Sequence, residues 1–239
     1  MEYLTPIFMC IVFLCGCALL CTVSLYISDR LTVRSLRRSP VLDRDSVAAL
    51  LSLEFGTGNL YLSRWFPVRS PRGTLYTEIP LILVLGRKVF VCTVCPASGI
   101  IYNTEEETWR ISLAMQNGTK KTIAVKNPVK AAEQQADVIR ALLETANLPF
   151  PVSVEPLAIL TAKQHKLDDP EQQGIGILPE ALQYIHASFP KKHTDKKKTK
   201  QVRRALKQDT ESILRIFRRY SLSRAKAIAK INALRQNKK

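Results

Sequence analysis

The stretch Thr77–Asn103, TEIPLILVLGRKVFVCTVCPASGIIYN, decides how the rest of the chain is arranged. Two extended apolar runs, Glu78–Leu85 and Lys88–Val94, flank Gly86-Arg87. Each is rich in Val, Ile, Leu and Phe and short enough for a strand, so the pair reads as a hairpin. Gly99 punctuates its end, and Ile100-Ile101-Tyr102 resumes an extended pattern. A hairpin this apolar needs cover on both faces, and the flanking segments are expected to supply helices.

Downstream, Trp109–Leu113 and Lys121–Val125 read as strands between loops at Asn103–Glu107 and Gln116–Lys121, with Trp109 as a core anchor. Asn117-Gly118-Thr119 is a glycosylation sequon with no meaning on a cytoplasmic segment. Pro128–Ala146 carries Val129, Ala132, Ala136, Ile139, Leu142 and Leu143 on one helical face, and Pro128 suits its start. Val152–Thr161 offers a buried strand in which Pro156 predicts an edge or a bulge. Pro179–Ser188 reads as a last helix of this region. Upstream, Asp43–Leu53 reads as a helix with Val47, Leu50 and Leu51 at helical spacing, and Leu60–Val68 as a strand. Gly56-Thr57-Gly58-Asn59 is a turn and no phosphate loop, since no Lys-Ser/Thr follows it. Strand, helix and strand in this order imply an α/β domain.

The central strands resemble the nuclease-related domain (NERD) family, whose fold is similar to the restriction-endonuclease-like nucleases. In that family a "TQIDH" run leads into "FVIExK", then "GxI", a Trp and an Asn-Pro that opens a helix. This chain has Thr77-Glu78-Ile79-Pro80-Leu81, Phe90-Val91-Cys92-Thr93-Val94-Cys95, Gly99-Ile100-Ile101, Trp109 and Asn127-Pro128. The resemblance spans roughly Asp43–Lys163 and implies a mixed sheet with flanking helices. It also implies a metal site, because the family's Asp and Glu hold a divalent cation and its Lys faces the phosphate. Those positions are Pro80, Thr93 and Cys95 here, and the family's Gln after Asn-Pro is Ala131. Carboxylate oxygens around a hard cation are what phosphodiester hydrolysis requires, and these residues do not provide them. Glu78, two residues from Pro80, is a possible remnant on the same strand face. Asp43 and Asp45 stand near the family's early Glu, though capping and helix-dipole roles also explain them. The expectation is a degenerate nuclease domain; the alternative is a divergent nuclease that uses Mg²⁺ or Mn²⁺ with Glu78 and Asp43 or Asp45.

The chain has 239 residues and a net charge of +16. From Lys191 to the end, 18 Lys and Arg stand against Asp195, Asp209 and Glu211, a net of +15. The excess therefore lies in the last 49 residues, and the remainder is close to neutral. Pro190–Lys200 reads as a solvated linker, followed by basic amphipathic helices over Gln201–Tyr220 and Ser223–Leu234. Lys196, Lys197, Lys198, Lys200, Arg203, Arg204, Arg215, Arg218 and Arg219 are the candidate contacts to an anionic partner, either DNA or RNA phosphates or anionic lipid. A charged face that only keeps a helical pair soluble is the plain reading. Phe217 and Tyr220 are the only aromatics there, so base-specific readout is not implied.

Tyr3–Ile27 holds 25 residues without a charge, enough to cross a bilayer. Arg30, Arg34, Arg37 and Arg38 follow, which orients the N-terminus outward and the body to the cytoplasm. No basic segment precedes the run, which argues against a cleaved signal peptide. Four of the six cysteines lie inside it, where they pack as small apolar groups. Cys92 and Cys95 form a C-x-x-C without a second ligand pair, and strand geometry places them on opposite faces, so buried thiols are expected rather than zinc. His165 and His186 are isolated. The predicted layout is an anchor over 1–29, a basic linker over 30–42, an α/β domain over 43–189 and a basic helical tail over 190–239. The corresponding function is a single-pass membrane protein whose inactive nuclease-like module binds nucleic acid or a partner. The third possibility is a membrane-surface scaffold with a lipid-binding tail.

Overall fold

A computed structural model describes residues 14–24, 42–70, 73–96, 98–102, 105–114, 119–162, 165–167, 175–188 and 196–236. The chain divides into two compact units, Met1–Ser39 and Pro40–Lys239. In the first, residues 14–24 form helix α1. Its Leu14, Leu19 and Leu20 are 66%, 65% and 69% exposed. Among the described residues no helix is long and apolar enough to cross a membrane. The rest of the charge-free run lies outside the described residues, and so does most of the basic linker.

The second unit is a mixed α/β fold. The apolar hairpin forms β2 (Gly73–Leu85) and β3 (Lys88–Cys95), preceded by α2 (Arg44–Phe55) and β1 (Leu60–Ser70). Gly86 has φ +62° at the first central turn position, as a two-residue type II′ hairpin needs. Then come β4 (Gly99–Tyr102), β5 (Thr108–Ala114), β6 (Lys120–Lys126), α3 (Pro128–Thr145) and β7 (Ser153–Leu160). Short strands β8 (His165–Leu167) and β9 (Ile175–Ile177) lead to α4 (Leu178–Ala187). The chain closes with α5 (Lys196–Tyr220) and α6 (Arg224–Gln236).

One sheet has the order β1-β2-β3-β7-β9 and the other β6-β5-β4-β8. β3 and β7 run parallel, as do β4 and β8, so the same two chain segments enter both sheets in turn. The sequence reading gave one mixed sheet and neither β8 nor β9; three-residue strands leave no periodicity to read. At the transition Thr161 N–H donates to the Cys95 carbonyl at 3.2 Å. Gly99 makes this bend possible: at φ +107°, a Cβ would lie 2.3 Å from the Ser112 carbonyl oxygen. Both the backbone conformation and the contact exclude a side chain. Gly99→Ala is therefore expected to lose about 2–4 kcal/mol by urea unfolding. Gly58→Ala, where a Cβ meets nothing within 4 Å, should stay within about 0.5 kcal/mol.

Pro156 is not at a sheet edge, since β7 lies between β3 and β9. β9 nevertheless pairs only with Ala158–Leu160, so beside Pro156 the far side of β7 carries no strand and its missing N–H breaks no ladder there.

Helices cover both faces of the larger sheet. Val89 and Val91 of β3, with Ile82 and Val84 of β2, pack with Ala136, Ile139, Leu142 and Leu143 of α3. On the opposite face Phe90 meets Tyr184 of α4 edge-on at 6.3 Å. α2 is tied to α4 through Glu54–His186 at 2.9 Å and a ring contact of Phe55 with His186. Glu155 of β7 accepts from Lys88 at 2.8 Å, Tyr184 at 2.8 Å and Ser153 at 3.2 Å. Burial raises the Glu155 pKa, but those hydrogen bonds and the Lys88 charge outweigh it and hold the carboxyl below its usual range.

The largest departure from the sequence reading concerns α5. The boundary at 189/190 does not divide the fold, because Ile213, Leu214 and Phe217 are buried in the same cluster as β2, β3 and α3. Phe217 meets Phe66 at 5.5 Å and Tyr61 at 5.8 Å, both edge-on. Gly86 N–H donates to Thr210 Oγ1 at 2.7 Å, and Arg87 pairs with Asp209 at 2.7 Å. Between the two C-terminal helices, Leu222 exchanges two backbone hydrogen bonds with Trp65 of β1 at 3.1 and 2.8 Å. An amphipathic pattern predicts a covered face without saying what covers it, and the charge around this one obscured a core helix.

Candidate functional site

The strand register fixes where the residues singled out by the resemblance fall. β2 and β3 pair from Leu85↔Lys88 to Leu81↔Cys92. One step beyond, the register sets Pro80 across from Thr93, the two positions that the resemblance assigns to the family's carboxylates. Pro80 has no N–H to offer, and the β2–β3 ladder stops there. β3 continues beside β7 alone, with Thr93↔Ala158 and Cys95↔Leu160.

No carboxylate stands at any of these positions. Thr93 keeps one hydroxyl, whose oxygen is buried without a hydrogen-bond partner. Cys95 is 4% exposed and packs with Ile101, Trp109, Ile111, Val129, Ala158 and Leu160. That cluster is apolar, and an ammonium placed there would lose its hydration without a counter-charge. Cys92, on the other strand face, is fully buried, and burial pushes its thiol up to about 12. The expected buried-thiol role of both cysteines agrees with this placement.

α3 completes the site from above. Asn127, fully buried, caps it: Oδ1 accepts from Val129 N–H at 2.9 Å and Lys130 N–H at 3.3 Å, and Nδ2 donates to the Glu106 carbonyl at 2.6 Å. Pro128 at the first helical turn needs no N–H, which explains the Asn-Pro pair physically. Ala131 is half-buried. One turn further on the same stripe, Gln135 has a buried Oε1 with no hydrogen-bond partner. The sequence reading passed over Gln135; its i+4 spacing from Ala131 was the available signal.

Glu78 does not join this group. Ser63, across from Pro80 in the β1 register, has φ +45°, and strand alternation breaks at this pair. As a result Ile79 packs in one cluster with Val89 and Val91, which turns its neighbour Glu78 to the other face. Thr93, two residues from Val91, stays on the cluster's face. Asp43 is occupied as the α2 N-cap, with Oδ1 accepting from Ser46 N–H at 2.9 Å. The Ser46 hydrogen bonds lower its pKa. Asp45 pairs with Arg44 at the surface. Among the described residues no three His, Cys, Asp or Glu side chains come together to hold a metal. Pro80 and Ala131 offer no side-chain ligand, and one hydroxyl at Thr93 with a buried thiol at Cys95 does not make a site for Mg²⁺ or Mn²⁺.

The basic candidates are arranged by the docking of α5. With Ile213, Leu214 and Phe217 inward, Arg203, Arg204, Arg215, Arg218 and Arg219 are exposed. Glu211, hydrogen-bonded to Arg218 at 2.7 Å, raises the pKa of that guanidinium. The side chains of Lys196, Lys197, Lys198 and Lys200 lie outside the described residues, although their backbone forms the first turns of α5.

Fold and site together define a mixed α/β module with flanking helices. Residues 47–161 match the family model of the nuclease-related domain, the family that the central strands resemble. No curated protein and no solved structure matches the chain.

Proposed function

We propose that this protein is a membrane-anchored nuclease-like module without hydrolytic activity that holds nucleic acid at the cytoplasmic membrane face through the exposed arginines of α5. The observation that carries the reading is the register. It sets Pro80 across from Thr93, the positions that the resemblance assigns to the family's metal carboxylates, and neither side chain supplies a carboxylate. The match to the nuclease-related domain supports nucleic acid as the partner. The charge-free run at Tyr3–Ile27, the exposed leucines of α1 and the four arginines from Arg30 to Arg38 support the anchor and its orientation. Anionic lipid is the competing partner for the same arginines, since the anchor would bring them near it.

The test uses full-length protein in non-ionic detergent, with labelled single- and double-stranded DNA and RNA, with and without Mg²⁺ or Mn²⁺. Binding without cleavage is the expected result. Metal-dependent cleavage that disappears in Glu78→Ala would refute the inactive reading and establish a divergent nuclease. Binding to anionic vesicles, with none to nucleic acid, would replace nucleic acid with lipid.

A further inference from the structure

The four-stranded sheet has one buried face and one on which, among the described residues, the β6 side chains and Arg110 are exposed. Trp109 and Ile111 of β5 point inward with Ile101 of β4, and Ile123 and Val125 of β6 pack against them. Alternate residues point outward in register. Tyr102, Arg110 and Ala124 form one row across β4, β5 and β6, and Ile100, Ser112 and Thr122 form the next. Lys126 and Lys120 lie beyond these rows at the two ends of β6. Arg110, Lys120, Thr122, Ala124 and Lys126 are exposed.

The charge on this face is one-sided. No outward position of β4, β5 or β6 carries Asp or Glu. Among the described residues no ion pair engages Arg110, Lys120 or Lys126; the one partner of Lys126 is the neutral Gln134 oxygen at 3.4 Å. Lysines on an edge strand deter strand pairing, which accounts for Lys120 and Lys126. It does not account for Arg110, which sits on the inner strand β5. The six-residue step from Lys120 to Lys126 spans about 20 Å. Between them, Ser112, Thr122 and Ala124 leave a low lane beside the half-buried Tyr102 ring. Small side chains allow flat bases to approach the sheet, an aromatic ring offers a stacking surface, and flanking cations meet the phosphates.

We infer that the outward face of the β4–β5–β6 sheet is a binding surface for single-stranded nucleic acid, separate from α5. It rests on the reading that nucleic acid is this protein's partner. A duplex has no unpaired bases to set against Tyr102, whereas a single strand presents them.

The experiment titrates full-length protein with a labelled oligo(U) strand, a labelled DNA duplex and phosphatidylserine vesicles at several salt concentrations. Combined Arg110→Gln, Lys120→Gln and Lys126→Gln should weaken oligo(U) about a hundredfold at 0.1 M salt and lower its salt slope by about 2. Duplex binding should change less than twofold. Tyr102→Ala should cost about tenfold on oligo(U), and Tyr102→Phe should restore it. Unchanged oligo(U) binding in the triple variant would overturn the inference, as would equal losses on the duplex or a loss confined to vesicles. Nucleic-acid binding lost only in the α5 arginine variants would also overturn it while leaving the proposed function intact. A wild-type protein that binds no nucleic acid would overturn both.

Discussion

Phe217→Ala is expected to destabilise the protein by about 3–5 kcal/mol. Single domains hold about 5–15 kcal/mol in total, so this one change removes a large share. The argument starts from burial: Phe217 is fully buried and contacts the rings of Tyr61 and Phe66. Ile213 and Leu214 join it, and each such side chain contributes about 1.5–3 kcal/mol on burial. The turn at Gly86 adds a directional element, because its N–H donates to the buried Thr210 hydroxyl. Thr210→Val leaves that N–H unpaired and should cost about 1–3 kcal/mol. A chain ended after Ser188 should lose its cooperative transition altogether. Urea unfolding followed by tryptophan fluorescence reads all three, since Trp65 and Trp109 both lie in the α/β unit. A solvated appendage would behave differently: Phe217→Ala would then stay within about 0.5 kcal/mol, and the truncated chain would unfold like the whole one.

The sequence made some of this legible. The two apolar runs and Gly86 specify a hairpin without help from elsewhere, and the Asn127-Pro128 cap plus a 3.6-residue stripe specify α3. These are local signals, with short-range physics behind each. The docking of α5 is not local. Ile213 and Phe217 were visible as an apolar stripe, but Arg215, Arg218 and Arg219 between and beyond them made a lipid or nucleic-acid face equally consistent. What selects the core is the pocket formed by Phe66, Ile79 and Ile82, more than 130 residues earlier. Glu78 was misplaced for a related reason. A period of two assigns it the face of Pro80, but Ser63 across the ladder takes φ +45° and resets the alternation. No residue of β2 by itself reports that. Pro80 and Thr93 were visible in the sequence as residues, while the register that sets one across from the other required the paired strands.

Neutralising the α5 arginines should change how nucleic-acid binding depends on salt. Because α5 is pinned by its buried stripe, its exposed residues are held in a fixed array. Arg204, Arg215 and Arg219 lie around the side opposite Ile213 and Phe217, with Glu211 among them drawing Arg218 into a hydrogen bond. Each phosphate contact on a duplex adds about 0.9 to the slope of log affinity against log salt. If three of the five arginines touch phosphate, replacing all five with Gln lowers the slope by about 2.7. Affinity at 0.1 M salt then falls about 500-fold. Glu211→Gln acts in the opposite direction: it releases Arg218 and removes a negative charge from the array, so binding should tighten. A membrane contact would separate in the same titration, since the arginine variants would then lose vesicle binding and leave the duplex isotherm and its slope unchanged. A uniform loss of affinity with an unaltered slope would show that these arginines act through folding and make no phosphate contact.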